Sequence, residues 1–362
     1  MLSLPFSIPF TGFSDLDFIS VLSSVLLYLE GKTEASDDYE CQKKMTGVCS
    51  GCGNCKNTLH NIQEQTYFYL DTMSGRSSLR CHFDGTPTEM QTWLNENDGC
   101  GNTETIDFLF GFIGYDYRTV TDAAAFADEI QRSIEKNRPV IARASGSHGR
   151  FRVIIGIDGD TLMEPDYNGA QNLSRQGITY KELRELYIIG DTVPRRYTEY
   201  DGLMRIQKIM EYNESAGLWD EYQQKMGWYG GMEGIPPEER SFRMKRTADT
   251  MWHTFNCHNF AEVFRYRSSD ALKKPAYDEI QSIINPAYGY THDLAWSLIG
   301  WNDAIDWIHP HIGIIIGYAE AIQLILWRIQ QNDRDVLSAV KRTLEKLKKT
   351  ELIKRKESFC VY

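Results

Sequence analysis

The sequence predicts a mixed α+β first half followed by an all-helical second half. Segments with the two-residue alternation of strands are confined to residues 115–164, whereas apolar residues recur at helical spacing from about 198 to 351. The chain has 362 residues, and a single hydrophobic core usually stops growing before about 250–300 residues. We therefore expect two domains, 1–194 and 195–362, with the boundary near Pro194.

Helices are expected to open the first half. In residues 15–30 the apolar side chains recur three and four positions apart, and Ser14 stands where a helix N-cap is expected. Residues 57–73 repeat the helical pattern. The tetrapeptide that begins at Thr86 has the spacing of a capping box, which predicts a further short helix.

Strand patterns begin at residue 115. Residues 122–137 fit a helix between the first two strands, and Asp158-Gly159-Asp160 fits a tight turn between the last two. A hairpin followed by a turn and another strand is typical of an antiparallel sheet, so an α+β fold is expected rather than a doubly wound one. The expected strands are residues 115–120, 139–144, 150–157 and 161–164.

Charge and hydropathy exclude two classes of partner. The formal net charge is -11 and no long basic stripe is present, which argues against nucleic acid. The apolar runs 18–29 and 311–327 fall short of the ~20 residues that span a bilayer, so both are interpreted as buried helices. Since no basic segment precedes the first apolar run, a cytoplasmic location is expected.

A resemblance to a known family rests on one segment. A capped apolar helix comes first in the chain. It is followed, from Arg150, by the run Arg-Phe-Arg-Val-Ile-Ile-Gly-Ile-Asp-Gly-Asp, and then by Glu164-Pro165-Asp166. Over roughly residues 10–190 this order resembles papain-like proteins, especially the peptidase domain of bacteriocin exporters and the N-terminal domain of butirosin biosynthesis protein H. The resemblance implies a papain-like α+β domain, and the helical half resembles the accessory region that follows it in the butirosin-type proteins.

The resemblance also implies what is missing. In that family a Cys at the start of the first helix attacks an amide or thioester carbonyl, and a His at the start of a strand activates it. The register places Arg150 in the His position, Asp17 or a near neighbour in the Cys position, and Asp166 near the residue that orients the His. The resemblance therefore indicates a degenerate domain without this pair, which binds a small anionic ligand or a peptide.

Two readings of the strand beginning at residue 150 stay open. Alternation places Arg150 and Arg152 on one face, where they would bind a carboxylate or phosphate, or else pair with surface carboxylates such as Asp17. His148 lies two residues before the expected His position, and a bulge would bring it into the cleft.

The most specific chemical signal is a cysteine-rich loop at residues 41–55. Cys49, Cys52 and Cys55 follow one another with two residues between them, and Cys41 would complete a set of four ligands. The further Cys and Pro of a ferredoxin run are absent. Zinc is preferred over an iron–sulfur cluster, because a single structural site asks less of its surroundings. Cys81 or Cys100 are other fourth ligands, and reduced thiols are the alternative to any metal.

Cys55 carries the alternative, enzymatic hypothesis. It directly precedes the helix expected from residue 57, and a helix N-terminus lowers the pKa of a thiol. A relocated nucleophile of this kind would support acyl transfer or amide hydrolysis, with His60, His82 or His148 as base. A third hypothesis makes the cysteine-rich loop a metal or redox sensor.

Further metal-binding residue types occur in the helical half. His253 and Cys257 are four residues apart, as are His258 and Glu262, so each pair shares a helix face, and His292 and Asp293 would add ligands. The His-Glu-x-x-His motif of zinc proteases is absent. Hydrogen-bonded polar groups inside a helical bundle are the preferred interpretation. The sequence leaves the oligomeric state and the ligand open.

Overall fold

The computed structural model describes residues 2–6, 8, 17–32, 59–78, 103–145, 151–165, 178–220, 236, 239, 263–264, 269–284 and 312–359. The chain divides into two compact units. The first comprises Met1–Leu70 with Asn95–Arg196, and the second Asp71–Leu94 with Tyr197–Tyr362. Within the described residues the first unit contains helices and antiparallel sheets, so the mixed α+β class expected from the sequence is confirmed.

Helix α1, Phe18–Leu29, is the central helix of the first unit. Its N-cap is Asp17 rather than Ser14, since the Asp17 carboxylate accepts a hydrogen bond from the Ser20 N–H. Eleven of its twelve residues, Phe18 to Tyr28, are buried, and the hydroxyl of the buried Ser23 donates to the Ser20 carbonyl oxygen at 2.8 Å. Helix α2, Leu59–Ser74, contacts α1 through Gln63, whose amide donates to Ser23 Oγ at 2.9 Å.

The larger sheet has four antiparallel strands. Helix α3, Thr103–Ile113, leads into β2, Tyr115–Val120, and helix α4, Phe126–Glu135, leads into β3, Val140–Ala144. The other strands are β4, Phe151–Ile154, and β8, Leu183–Thr192, and the order across the sheet is β2-β8-β3-β4. Strand β8 was not expected from the sequence, yet it lies between β2 and β3.

The smaller sheet explains why the strand expected over residues 150–157 is broken. Ile155 leaves the larger sheet: its N–H donates to the Met163 carbonyl oxygen, and its own carbonyl oxygen accepts from the Leu4 N–H at 2.7 Å. The chain then continues as a strand of the second sheet, and Gly159, with φ +61°, makes the expected turn. The order of this sheet is β1-β5-β6-β7, made of Leu2–Ser3, Gly156–Asp158, Thr161–Met163 and Ile178–Thr179.

The two faces of the larger sheet are covered by different helices. Phe151 of β4 and Tyr187 of β8 contact Phe18 of α1, and this side is called the α1 face. Residues at alternate positions point to the other side. There Arg118 of β2 pairs with Glu129 of α4, so this side is called the α4 face.

The second unit is helical where it is described. Helix α5, Glu199–Ser215, begins at a capping box in which Thr198 N–H donates to Asp201 Oδ2 at 2.7 Å. It packs against a long helix α6, Ile312–Phe359. Apolar side chains fill the interior of the unit, among them Leu203, Ile206 and Met210 of α5 and Val336, Val340 and Leu344 of α6.

The sequence predicts a buried helix over the run 311–327. The run is helical from Ile312, but two of its described side chains, Leu324 and Trp327, are 69% and 50% exposed. They stand three positions apart and so share one helix face, which is turned outward, whereas Ile329 beyond them is buried. In the part of the chain that is described, no helix has a run both long and apolar enough to cross a bilayer.

Candidate functional site

The first turn of α1 holds the position where the family resemblance expects a nucleophile. Asp17 stands there and is only 7% exposed. One carboxylate oxygen accepts from the Ser20 N–H at 2.7 Å, and the other accepts from the Tyr67 hydroxyl at 3.4 Å. The Asp17 carboxylate is therefore engaged in capping the helix.

Aromatic rings fill the space beside this turn. The Phe18 ring centroid lies 5.2 Å from that of Phe151 and 5.4 Å from that of Tyr187, both in edge-on geometry, and 6.1 Å from that of Phe110. Edge-on pairs are a favourable arrangement of buried rings. The first residue of α1 and the first residue of β4 are thus in contact through two aromatic rings rather than through a thiol and an imidazole.

A polar cluster lies next to these rings on the α1 face. Arg143 of β3 is directly opposite both Phe151 and Glu185, so the three side chains point the same way. The Arg143 guanidinium lies 3.2 Å from Glu185 Oε1 and 5.8 Å from the centre of the Phe151 ring. The Tyr187 hydroxyl donates to the same Glu185 oxygen at 2.7 Å. Arg143, Glu185 and Tyr187 are called the Arg143 cluster.

Electrostatics keep Tyr187 in its neutral form. Burial raises the pKa of its hydroxyl far above the ordinary value, and the hydrogen bond to the negatively charged Glu185 raises that pKa further. Tyr187 is therefore a fixed hydrogen-bond donor, which holds Glu185 in place beside Arg143.

The Arg143 guanidinium has an unused donor. Its Nε is buried and has no hydrogen-bond partner among the described residues. Leaving a buried donor unsatisfied usually costs about 1–3 kcal/mol. Glu185 contacts one terminal nitrogen of the guanidinium, so Nε is a donor that this ion pair leaves unused.

Arg152 lies elsewhere. It is directly opposite Ala142 and adjacent to Phe151 along β4, so it points to the α4 face, where Glu164 is 3.5 Å away. Asp17 caps α1, which packs on the α1 face. The structure therefore does not bring the predicted ligand-binding residues Asp17 and Arg152 together.

Most of the other predicted site residues lie outside the described residues. This holds for Arg150 in the His position, and also for the catalytic, metal-binding and helical-half candidates. Their roles stay predictions: Cys41, Cys49, Cys52, Cys55, His148, Asp166, His253, Cys257, His258, Glu262, His292 and Asp293. Within the described residues, no group of three or more His, Cys, Asp or Glu side chains is placed to hold a metal ion.

The Arg143 cluster was not predicted, because its members come from strands 42 residues apart in the sequence and one of those strands was missed. Once β8 is recognised as a strand, Glu185 and Tyr187 fall on one face because they are two positions apart. Comparisons with protein-family models, curated proteins and solved structures found no match.

Proposed function

We propose that this chain is a non-catalytic binding protein on a papain-like scaffold, and that its first unit binds a small carboxylate ligand or the carboxylate end of a peptide. The observation that carries the proposal is the Arg143 cluster, a partly buried guanidinium with an unused Nε beside an aromatic ring. The scaffold itself is inferred from the resemblance of residues 10–190 to papain-like proteins.

The replacement of the expected catalytic pair supports binding over catalysis. Covalent attack needs a nucleophile within hydrogen-bond reach of a base. At the start of α1 the chain has a capping carboxylate, Asp17, and then Phe18 packed on Phe151. The two phenylalanine rings carry neither a nucleophile nor a base, and the Asp17 carboxylate is engaged by the Ser20 N–H and the Tyr67 hydroxyl.

The preference for a carboxylate follows from the shape of the donor set. Arginine offers a planar fork of N–H groups that matches the two oxygens of a carboxylate. Glu185 and the Phe151 ring fix the plane of the Arg143 guanidinium, which is only 13% exposed. A donor that is fixed before binding loses little side-chain entropy when the ligand arrives.

A matched pair of probes tests the proposal by calorimetry. N-acetylalanine carries the carboxylate, and N-acetylalanine amide has nearly the same shape without the charge. We expect the acid to bind and the amide not to bind. Arg143→Gln should weaken binding of the acid at least about tenfold, since hydrogen bonds to charged groups contribute about 1.5–3 kcal/mol.

Two further variants keep the test sharp. Arg184→Gln removes the same charge from an exposed position of the same strand as Glu185 and should leave binding unchanged. Because Arg143→Gln leaves Glu185 half-buried without its partner, Arg143→Gln/Glu185→Gln removes both charges and separates loss of binding from loss of folding. Equal binding of acid and amide would contradict the proposal. So would thioester or amide hydrolysis that alkylation of the thiols abolishes.

A further inference from the structure

A second concave site lies on the opposite side of the larger sheet. Helix α4 and strands β2 and β8 enclose a groove of about 230 Å³ on the α4 face. Its floor includes Ile188, which is directly opposite Arg118 on the neighbouring strand. We call it the α4 groove, and it shares no residue with the Arg143 cluster.

Cationic side chains exceed the carboxylates that neutralise them on one side of the groove. Arg118 and Arg132 both pair with Glu129, the second at 3.3 Å. The Glu129 side chain is 11% exposed, whereas the two guanidiniums are 52% and 60% exposed and keep further N–H groups toward solvent. One carboxylate thus holds two guanidiniums in place and leaves positive charge beside it.

Lys136 adds to this charge. It follows Arg132 by four residues, at the end of the same helix, so the two side chains lie one turn apart. Lys136 lines the groove, is exposed, and forms no ion pair among the described residues. Arg132, Lys136 and Arg118 therefore surround one region of the groove from two elements.

The other charged residues that line the groove are Arg138, Asp116 and Asp191. The Arg138 guanidinium donates to the carbonyl oxygens of Ile189 and Gly190 and pairs with Asp191 at 2.7 Å. Asp116 accepts from the Tyr117 N–H at 2.9 Å. Asp116 and Asp191 stand where β2 and β8 shift register, so their negative charge is gathered at that end.

The register shift also shapes the wall of the groove. Asp116 faces Gly190, and a Cβ at Gly190 would lie 3.1 Å from Asp116 Cβ, so glycine permits the close approach of the strands. The shift turns the Gly190 carbonyl toward Arg138, which fixes that guanidinium. The groove is thus built by the backbone as well as by side chains.

We propose that the α4 groove binds the phosphate group of a small phosphate monoester. A phosphate offers three acceptor oxygens and nearly two negative charges, which match two guanidiniums and an ammonium better than a single carboxylate does. The volume is below the ~300–1,000 Å³ of typical drug-sized sites, so the organic part of the ligand is small. The chain as a whole carries a charge of -11, which makes this local excess of positive charge a selective feature.

Titration calorimetry of the full chain with glycerol phosphate, and with inorganic phosphate, tests the proposal at fixed ionic strength. We expect one saturable site for glycerol phosphate. Arg132→Gln/Lys136→Gln should weaken it at least about tenfold, since two charged donors to the phosphate are lost. Lys136→Gln alone, at an exposed position where folding is not at stake, should weaken it by a smaller factor.

Matched controls separate this site from general attraction and from the Arg143 cluster. Lys181→Gln/Arg184→Gln removes the same charge from exposed positions outside the groove and should leave the affinity unchanged. Arg143→Gln should also leave phosphate binding unchanged, so the two proposed sites fail independently. Absence of phosphate binding, or equal weakening by the groove and control variants, would overturn the proposal.

Discussion

Asp17 lies at a position that the family resemblance and the structure assign to different roles. The family resemblance places it, or a near neighbour, where a nucleophile would stand, and the structure gives it the work of an N-cap with a second contact from Tyr67. A capping carboxylate also interacts favourably with the positive end of the helix dipole. The side chain at this position therefore stabilises the start of α1, and the start of α1 carries Phe18 into the core.

Substitution of Asp17 tests this stabilising role. Asp17→Ala removes both hydrogen bonds, and loss of an N-cap costs typically about 1 kcal/mol. We expect the free energy of unfolding, measured by urea denaturation, to fall by about 1–2 kcal/mol. Asp17→Asn keeps a capping oxygen and should lose clearly less. Equal stability of Asp17→Ala and the unaltered chain would show that the cap is not what holds this turn.

At the scale of whole elements, the strand path was partly predictable. Strand β2 and the turn at Gly159 follow from alternation and from turn chemistry, and both were expected. Strand β8 was missed because it is covered on both faces. Its residues 186–189 are all apolar or aromatic, and such a run lacks the alternation that identifies a half-exposed strand.

The candidate site was less predictable than the fold. The Arg143 cluster depends on the register of β3 against β8, which places Arg143 opposite Glu185. A shift of one residue would turn each of these side chains to the other face. No local pattern near Arg143 encodes that register. The alternation of side chains along the strand of Arg152 was predictable from the sequence. Which of the two faces of the sheet α1 covers was not predictable.

Gly156 tests how the two sheets of the first unit are joined. A Cβ at this position would lie 2.5 Å from the Leu2 carbonyl oxygen and 2.8 Å from Ser3 Cβ, so Gly156→Ala should separate β1 from β5. We expect the amide of Leu4, which donates to Ile155, to lose its protection in hydrogen exchange. The expected loss of stability is about 1–3 kcal/mol, as for other overpacked sites.

Gly159→Ala is the matched control for this experiment. A Cβ there meets no atom within 4 Å, but the residue has φ +61°. Left-handed backbone costs a residue with a side chain about 1–2 kcal/mol. Stability should fall in both variants, whereas the Leu4 amide should stay protected in Gly159→Ala. Loss of Leu4 protection in both would mean that β1 detaches through general destabilisation rather than through steric exclusion.

At the scale of the whole molecule, the basic run at residues 341–356 forms ion pairs within the second unit. Three cations of this run pair with carboxylates of the same unit. Lys341 lies 2.8 Å from Glu211, and Arg342 and Lys346 both pair with Glu279. These contacts lower the pKa of Glu279 through hydrogen bonds from Lys346 and Arg342, in that order of size.

Stability at high pH should depend on Tyr277 of the second unit. Burial raises its pKa from 10.0 to about 12, and the negative charge of Glu199 adds to the effect. Because the folded state keeps the neutral phenol, this contribution is fully present below pH 10 and is lost as the pH rises toward 12. Between pH 9 and pH 11 the loss from this residue should be about 1 kcal/mol.

Urea denaturation at pH 9 and pH 11 measures that loss, and variants assign it. Tyr277→Phe cannot ionise, so its free energy of unfolding should fall less between the two pH values than that of the unaltered chain, by about 1 kcal/mol. Glu199→Gln removes only the smaller cause and should give an intermediate difference. Groups elsewhere contribute equally to all three proteins and cancel. If Tyr277→Phe loses as much stability as the unaltered chain, the buried phenol is not the group that makes the second unit sensitive to alkaline pH.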